Sequence, residues 1–392
     1  MKKLLMATAA TALMAGAASA EDVKLGVLFG YTGPIESLTG NMTAGVELAV
    51  KEINDSGLFM GNVTIAKGDS TCIDSAAATS AAERLITAEG IMGMVGGDCS
   101  GVTGAVLQNV ARPNGMVMIS PSATSPALTL AEDDGLFFRT SPSDAREGEV
   151  MADILMEKGI KSIALTYTNN DYGKGLADAI ASSFEKLGGK VTINASHEDG
   201  KADYSAEVAA LASAGGDLLV VAGYLDQGGK GIIQASLDSG AFETFGLPGG
   251  MVGDNLPIAI GPALNGSYGQ VAQSDSSGAA TMIEMAKAAG FDAASPYTME
   301  SYDAAALILL AMEAAGSTSS ADYKGKILDI ANAPGEKIFP GELKKALELI
   351  KAGTDIDYEG ASAVELIGPG ESSGRYREFE IKDGKYETVK FR

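Results

Sequence analysis

Short apolar runs alternate along the chain with longer segments whose apolar residues recur at helical spacing. Near the start, residues 23–29 (VKLGVLF) have the composition of a buried strand, and residues 41–54 show helical spacing. The pair recurs as a predicted strand at 63–67 and a predicted helix at 75–88. Such alternation predicts an α/β fold, in which helices cover both faces of a doubly wound parallel sheet.

The alternation stops near residue 142 and then restarts, which predicts a second α/β lobe. A later segment, residues 300–315 (ESYDAAALILLAMEAA), is apolar on nearly every side and predicts a deeply buried helix. We therefore expect a first lobe built from residues 21–141 and 274–358, and a second lobe built from residues 142–273 and 359–392.

The segment from residue 91 to residue 130 contains two predicted strands, each followed by a turn of small hydroxylic residues. The turns read GGDCSG and SPSATSP, and Ser100 and Thr124 stand where helix N-caps are expected. Neighbouring parallel strands would bring both helix N-termini to one sheet edge, where free N–H groups favour an anion. Since no general base lies nearby, the segment predicts a carboxylate-binding cleft rather than a reaction centre.

The first twenty residues have the pattern of a secretory signal peptide. Lys2 and Lys3 precede an apolar run, and Ala18-Ser19-Ala20 matches a cleavage site. The alternative, a membrane anchor, is disfavoured because the apolar run is short and ends in small residues. We therefore expect cleavage after Ala20 and a soluble, exported protein.

Composition narrows the range of partners further. A formal net charge of −22 argues against nucleic acid and anionic lipid as partners. The chain has two cysteines, Cys72 and Cys99, and in an oxidising compartment they favour a disulfide over free thiols. Two cysteines and one histidine, far apart in sequence, make a zinc site implausible.

The sequence motifs of common enzymes and cofactor sites are missing. His197 is the sole histidine, and we expect it at the end of a strand, exposed in a loop. No nucleophile elbow accompanies it. Residues 223–231 (GYLDQGGKG) resemble a phosphate-binding loop but lack the Gly-Lys-Ser/Thr ending, and no Gly-x-Gly-x-x-Gly follows the first strand. We expect a binding protein without a cofactor, not an enzyme.

Four motifs together resemble one family. They are residues 95–100 (VGGDCS), 119–126 (ISPSATSP), 170–175 (NDYGKG) and 300–305 (ESYDAA). With the two-lobed pattern, the chain resembles the periplasmic substrate-binding proteins of branched-chain amino-acid ABC transporters, the leucine/isoleucine/valine-binding type. The resemblance implies a type I periplasmic binding fold, with two lobes joined by three crossovers. It also implies a monomer in the periplasm that delivers a small carboxylate-bearing ligand to an ABC permease.

The same resemblance assigns roles to individual residues. It implies that the hydroxyl groups of Ser100 and Thr124 hold the ligand carboxylate and that the backbone at Ser122 contacts the ligand head group. It also implies that the rings of Tyr172 and Tyr224 close over the ligand, and that Cys72 pairs with Cys99. For the two tyrosines, ordinary packing beside a turn is the alternative.

Two positions depart from the family pattern. Gly249 stands where the family has an acid that pairs with the ligand ammonium group, and Leu38 stands where an aromatic residue is common. Either Asp226 or Asp254 replaces the missing acid, or the ligand lacks an ordinary α-ammonium group. Three alternatives therefore stay open: a different solute such as an amide or sulfonate, a sensory binding protein, and an enzyme on the same scaffold.

Overall fold

The structure, a computed structural model, describes residues 22–392, and the predicted signal peptide lies outside that range. Its strands in chain order are β1 (Val23–Phe29), β2 (Val63–Asp69), β3 (Gly93–Gly96), β4 (Met118–Ser120), β5 (Phe137–Pro142), β6 (Ser162–Thr168), β7 (Lys190–His197), β8 (Leu218–Ala222), β9 (Phe245–Leu247), β10 (Tyr268–Ala272), β11 (Glu336–Ile338), β12 (Ile356–Tyr358), β13 (Leu366–Ile367), β14 (Glu371–Ser372), β15 (Tyr376–Lys382) and β16 (Lys385–Phe391). Its α-helices are α1 (Glu36–Ser56), α2 (Ser75–Thr87), α3 (Ser100–Val106), α4 (Arg112–Asn114), α5 (Pro126–Thr129), α6 (Asp144–Glu157), α7 (Asp171–Lys186), α8 (Ser205–Ala214), α9 (Gly228–Ser239), α10 (Asn255–Ile260), α11 (Ser277–Ala289), α12 (Thr298–Ala315), α13 (Ser320–Tyr323), α14 (Lys326–Ala331) and α15 (Leu343–Lys351).

Two seven-stranded sheets organise the two lobes. The first has the strand order β13-β14-β5-β4-β3-β1-β2, and the second has the order β16-β15-β10-β9-β8-β6-β7. Within each sheet the first five strands in sequence pair in parallel. Antiparallel pairing occurs only near one edge of each sheet, at β13, β15 and β16. The predicted α/β class with two parallel-dominated sheets is confirmed.

The chain crosses between the sheets three times, after β5, after β10 and after β14. The last crossing corrects one expected boundary. Strands β13 and β14 join the first sheet through β5, so that lobe includes Ser372 instead of ending at residue 358. Two-residue strands carry no measurable periodicity, and for this reason the sequence pattern could not assign them to a sheet.

Helix α12 forms the centre of the first lobe. It is buried continuously from Thr298 to Met312, and it packs lengthwise against α1. Gly45 permits this close approach, because a Cβ atom there would lie 2.5 Å from the carbonyl oxygen of Thr298. The contact holds α1 so that its N-terminus points to the cleft between the lobes.

The single histidine contradicts its expected location. His197 ends β7 and is 1% exposed, with Nδ1 within 2.9 Å of the Thr166 hydroxyl oxygen. Burial lowers the pKa of its imidazole to about 4, so the ring is neutral at pH 7. The expected position at the end of a strand is correct, but the expected exposure was wrong, because Thr166 and the ring of Tyr204 pack against the imidazole.

Two further searches covered residues 22–392. No helix in this range is both long enough and apolar enough to cross a bilayer. Nor does the range contain three His, Cys, Asp or Glu side chains grouped as metal ligands.

Candidate functional site

Serine hydroxyl groups tie together the two turns that follow β3 and β4. Ser100 Oγ accepts hydrogen bonds from the backbone N–H groups of Thr124 (3.1 Å) and Ser125 (3.0 Å). Ser122 Oγ donates to the carbonyl oxygen of Asp98 at 2.8 Å. The structure therefore brings together the three hydroxylic residues that the sequence singled out, and it does so at the carboxyl ends of adjacent strands.

One of these hydroxyl groups makes no hydrogen bond of normal geometry within residues 22–392. Thr124 is 2% exposed, and its Oγ1 lies near the Asp144 carboxyl, whose pKa it lowers. A buried hydroxyl without a well-formed hydrogen bond costs about 1–3 kcal/mol. A ligand acceptor that reached Thr124 would remove this cost. Ser100 can also donate its hydroxyl proton, since its two existing bonds use only the oxygen lone pairs.

A small cavity lies between these turns and the second lobe. Its volume is about 20 Å³, and it is lined by Ile35, Leu38, Asp98, Cys99, Ser100, Ser122, Tyr172, Tyr224, Gly250 and Tyr297. Both lobes contribute, and the volume corresponds to about one water molecule. The lobes are therefore closed on each other, and an amino acid can enter only when they separate.

Three buried tyrosines line the cavity as a tyrosine wall, Tyr172 and Tyr224 from the second lobe and Tyr297 from the first. The rings of Tyr172 and Tyr224 are stacked, with centroids 5.0 Å apart and 19° between their planes. Tyr172 Oη accepts a hydrogen bond from the Gly250 N–H at 3.1 Å. Tyr297, which the sequence analysis did not single out, joins them from the residue before α12, with a positive φ of 63°. That backbone conformation is uncommon for a tyrosine and could not be recognised from the sequence.

The first-lobe side of the cavity is braced by a disulfide and a buried carboxylate. Cys72 and Cys99 are bonded, with their Cα atoms 5.1 Å apart, so the predicted disulfide is confirmed. Beside it, Asp98 accepts hydrogen bonds from the Gly30 N–H (2.5 Å) and the Ser70 hydroxyl (2.7 Å). Burial raises the pKa of Asp98, and these hydrogen bonds oppose that shift. Together they connect the loops after β1, β2 and β3.

The structure does not bring Asp226 or Asp254 to the cavity. Asp226 Oδ2 accepts hydrogen bonds from the backbone N–H (3.1 Å) and hydroxyl (2.7 Å) of Ser37, and its Oδ1 accepts from Asn255 Nδ2 at 2.9 Å. It therefore caps α1 from the opposite lobe. Asp254 is exposed and lines a separate pocket of about 320 Å³ that also contains Arg377 and Tyr386.

A pair of buried acids does lie close to the cavity wall. Asp144 and Glu147 occupy the first turn of α6 and are at most 2% exposed. Glu147 Oε1 accepts hydrogen bonds from the Gly249 N–H (2.8 Å) and from Gln270 Nε2 (3.2 Å). The sequence analysis missed both acids, because acidic residues in a first helical turn are common on protein surfaces. No local signal marks these two as buried.

Burial changes the titration of this pair. Loss of solvation raises the pKa of Glu147 to about 7, although its hydrogen bonds to Gly249 and Gln270 oppose the shift. Loss of solvation and then the charge of Glu147 raise the pKa of Asp144 well above its usual range. Both groups therefore respond strongly to any cation that comes near them.

Comparison with known proteins agrees with this geometry. The sequence profile of the family "Periplasmic binding protein" matches residues 22–331. The Leu/Ile/Val-binding protein homolog 3 of Brucella melitensis is 32% identical, over 82% of this chain and 87% of that protein.

Solved structures share the fold at lower identity. The leucine-binding protein LivK of Thermotoga maritima superposes with a TM-score of 0.79 at 21% identity, covering 94% of this chain and 98% of that chain. A solute-binding protein of an R. palustris ABC transporter, in complex with 4-hydroxybenzoate, has a TM-score of 0.77 at 19% identity, covering 95% and 97%. With two lobes, three crossovers and a closed cleft of hydroxyl and tyrosine side chains, the chain belongs to the periplasmic binding protein family, in its branched-chain amino-acid type.

Proposed function

We propose that the protein captures an amino acid of the branched-chain or a related class in the periplasm and delivers it to an ABC permease. The observation that carries the proposal is the cavity between the lobes, where the Ser100 hydroxyl can donate to a carboxylate. The buried Thr124 hydroxyl belongs to the adjoining turn, and we expect it to reach the same carboxylate when the ligand binds. Ser122 lines the same cavity, and Tyr172 and Tyr224 face it from the second lobe.

The mechanism is binding coupled to closure. Hydroxyl donors come from the first lobe and the stacked tyrosines from the second, so a ligand contacts both sets only in the closed form. Its binding free energy therefore shifts the equilibrium between open and closed forms. A permease that recognises the closed form would receive only loaded protein. Docking is expected to be transient and to involve a monomer.

A thermal-shift screen tests the proposed ligand class. At a concentration 100 times its Kd, a ligand adds about 2.7 kcal/mol to stability, so the correct amino acid should raise the melting temperature clearly. Calorimetry then measures its affinity. Mass spectrometry of ligand retained through gentle purification identifies the natural compound. The proposal fails if no amino acid shifts the melting temperature and no amino acid is retained.

A second candidate ligand is an aromatic carboxylate. Gly249 carries no acidic side chain, and a ligand without an ammonium group would need none. The R. palustris protein of the same fold is in complex with 4-hydroxybenzoate. Benzoate and 4-hydroxybenzoate therefore belong in the screen, and stabilisation by them alone would favour this candidate.

Asp226 is expected to act as a latch between the lobes and not as a ligand contact. Asp226→Ala removes the acceptor that caps α1 across the cleft, and caps contribute about 0.5–2 kcal/mol. Because this contact bridges the closed lobes, affinity should fall about twofold to thirtyfold, with faster ligand release. Stopped-flow fluorescence or calorimetry can measure this change. The control is Asp254→Ala, which removes an exposed carboxylate nearby. An effect of the Asp254 change as large as that of the Asp226 change would contradict the latch.

A further inference from the structure

Asp144 and Glu147 form a buried pair of acids inside the closed protein. Both side chains are almost wholly buried, and within residues 22–392 neither forms a salt bridge with lysine or arginine. The buried cation nearby, Arg139, already pairs with Glu371 at 2.5 Å and donates to the carbonyl oxygens of Ala123 and Ser125. Leaving a buried carboxylate without a counter-charge costs several kcal/mol.

Glu147 lies next to the place from which the missing acid would act. A Cβ atom built on Gly249 would be 3.5 Å from Glu147 Oε1 and 2.9 Å from Tyr297 Oη. Tyr297 and Gly250, the neighbour of Gly249, both line the cavity. The carboxylate of Glu147 therefore lies beside the side-chain position of residue 249, directly behind the tyrosine wall.

Several buried oxygen atoms around the pair form no hydrogen bond of normal geometry within the described chain: both carboxyl oxygens of Asp144, the side-chain carbonyl oxygen of Gln270 and the hydroxyl oxygen of Tyr376. Asp144 does lie beside the Thr124 hydroxyl and the Glu147 carboxyl, and both affect its pKa. All of these oxygens can accept hydrogen bonds, and an ammonium group has three N–H donors and no acceptor. A primary ammonium group therefore matches the unmet hydrogen-bonding capacity here.

The acids also adjoin the hydroxyl group proposed to hold the ligand carboxylate. The backbone N–H of Asp144 donates to the carbonyl oxygen of Thr124 at 2.8 Å, so these two residues are direct neighbours across the first crossover. In an α-amino acid one carbon atom separates the carboxylate from the ammonium group. A hydroxyl donor on one residue and an acidic acceptor on its neighbour can therefore bind the carboxylate and the ammonium group of the same amino acid.

We propose that Glu147, with Asp144 beside it, supplies the negative charge that pairs with the ammonium group of an α-amino acid, in place of the acid absent at Gly249. This inference rests on the proposed function, since it presumes an amino acid in the cavity. It assigns the counter-charge to the first turn of α6, and not to Asp226 or Asp254. Since neither acid lines the closed cavity, the assignment requires the ammonium group to pass the tyrosine wall as the lobes close on the ligand.

The proposal has a pH signature. The pKa of Glu147 is raised to about 7 by burial, so Glu147 is partly protonated near neutral pH in the free protein. An ammonium ligand requires the carboxylate form, so affinity should rise as pH increases from 5.5 to 8, and binding should release protons. The other groups that face the acid pair are Arg139 on β5, which acts on Asp144, Tyr172 on α7, Tyr297 before α12, Gln270 on β10 and Tyr376 on β15. Burial raises the pKa of the tyrosines well above 10 and keeps them neutral over this range.

The test is calorimetry of Glu147→Gln and Asp144→Asn, with L-leucine and with the amino acid that gives the largest shift in the thermal screen. Each variant should bind about tenfold to a hundredfold more weakly, the cost of losing a charged hydrogen bond. Titration in two buffers of different ionisation enthalpy should show proton release by the unmodified protein and much less by Glu147→Gln. The matched control is Glu149→Gln on the same helix, where the glutamate is exposed and pairs only with Arg146. Melting curves confirm that each variant is folded.

The outcomes separate this inference from the proposed function. If the amino acid binds the unmodified protein and both variants equally well, with the same pH dependence, the assignment of the counter-charge is overturned and the function stands. If no amino acid binds, and benzoate or 4-hydroxybenzoate does, both are overturned. Weak binding by the two variants with a flattened pH profile supports the assignment.

Discussion

Thr124→Ala is expected to weaken binding of the ligand by about tenfold to a hundredfold. The hydroxyl of Thr124 is buried, and a charged carboxylate acceptor would make a hydrogen bond worth about 1.5–3 kcal/mol. Within residues 22–392 this hydroxyl makes no hydrogen bond of normal geometry and affects Asp144 only by lowering its pKa, so the melting temperature of the free protein should change little. Calorimetry and thermal melts measure the two effects separately.

Ser100→Ala should behave differently, although both residues are expected to hold the same carboxylate. Ser100 Oγ accepts two backbone N–H groups, so its removal leaves two buried donors unpaired and lowers stability as well as affinity. Thr87→Ala is a suitable control, since Thr87 is exposed at the end of α2 and bonds only to the Glu83 carbonyl oxygen. Unchanged affinity in both Thr124→Ala and Ser100→Ala would place the ligand elsewhere.

Removal of the disulfide is expected to have the largest effect on stability. Cys72 and Cys99 are 27 residues apart, and closing a loop of this length reduces the entropy of the unfolded chain by an amount worth about 3–4 kcal/mol. Cys72→Ala with Cys99→Ala should therefore melt at a clearly lower temperature and still fold. The same bond braces the loops beside Asp98, so ligand affinity should fall with it.

Chemical reduction provides the comparison for the disulfide variant. The unmodified protein in excess reductant should melt close to the double variant, and the reductant should leave the variant unchanged. Equal melting temperatures for oxidised protein and double variant would show that the loop is ordered in the unfolded chain or constrained by other contacts.

Much of the first lobe could be predicted because its signals are local. The strand–turn–helix units around Ser100 and Thr124 combine apolar runs, hydroxylic residues and proline within a few positions, and the structure has both turns. The expected N-caps were wrong by one residue, since Cys99 precedes α3 and Ser125 caps α5. The first helix was predicted to begin at residue 41, but α1 starts at Glu36. The first turn of α1 has no apolar residues at helical spacing, and its cap comes from Asp226, which is 189 residues away in sequence.

The sequence by itself determined the α/β class, the two lobes, the cysteine pair and the hydroxylic turns. Each follows from periodicity or from residue types at short spacing, which act before the chain packs.

Only the tertiary structure decided which acid lies near the cavity. Asp226 and Asp254 follow strands of the second lobe, as a ligand-binding acid might be expected to do, but the closed lobes direct one to α1 and leave the other exposed. Asp144 and Glu147 resemble ordinary first-turn acids, and they are buried because three crossovers bring α6, β10 and the loop after β9 together. Burial depends on neighbours that are more than 100 residues distant in sequence, and no local pattern encodes them.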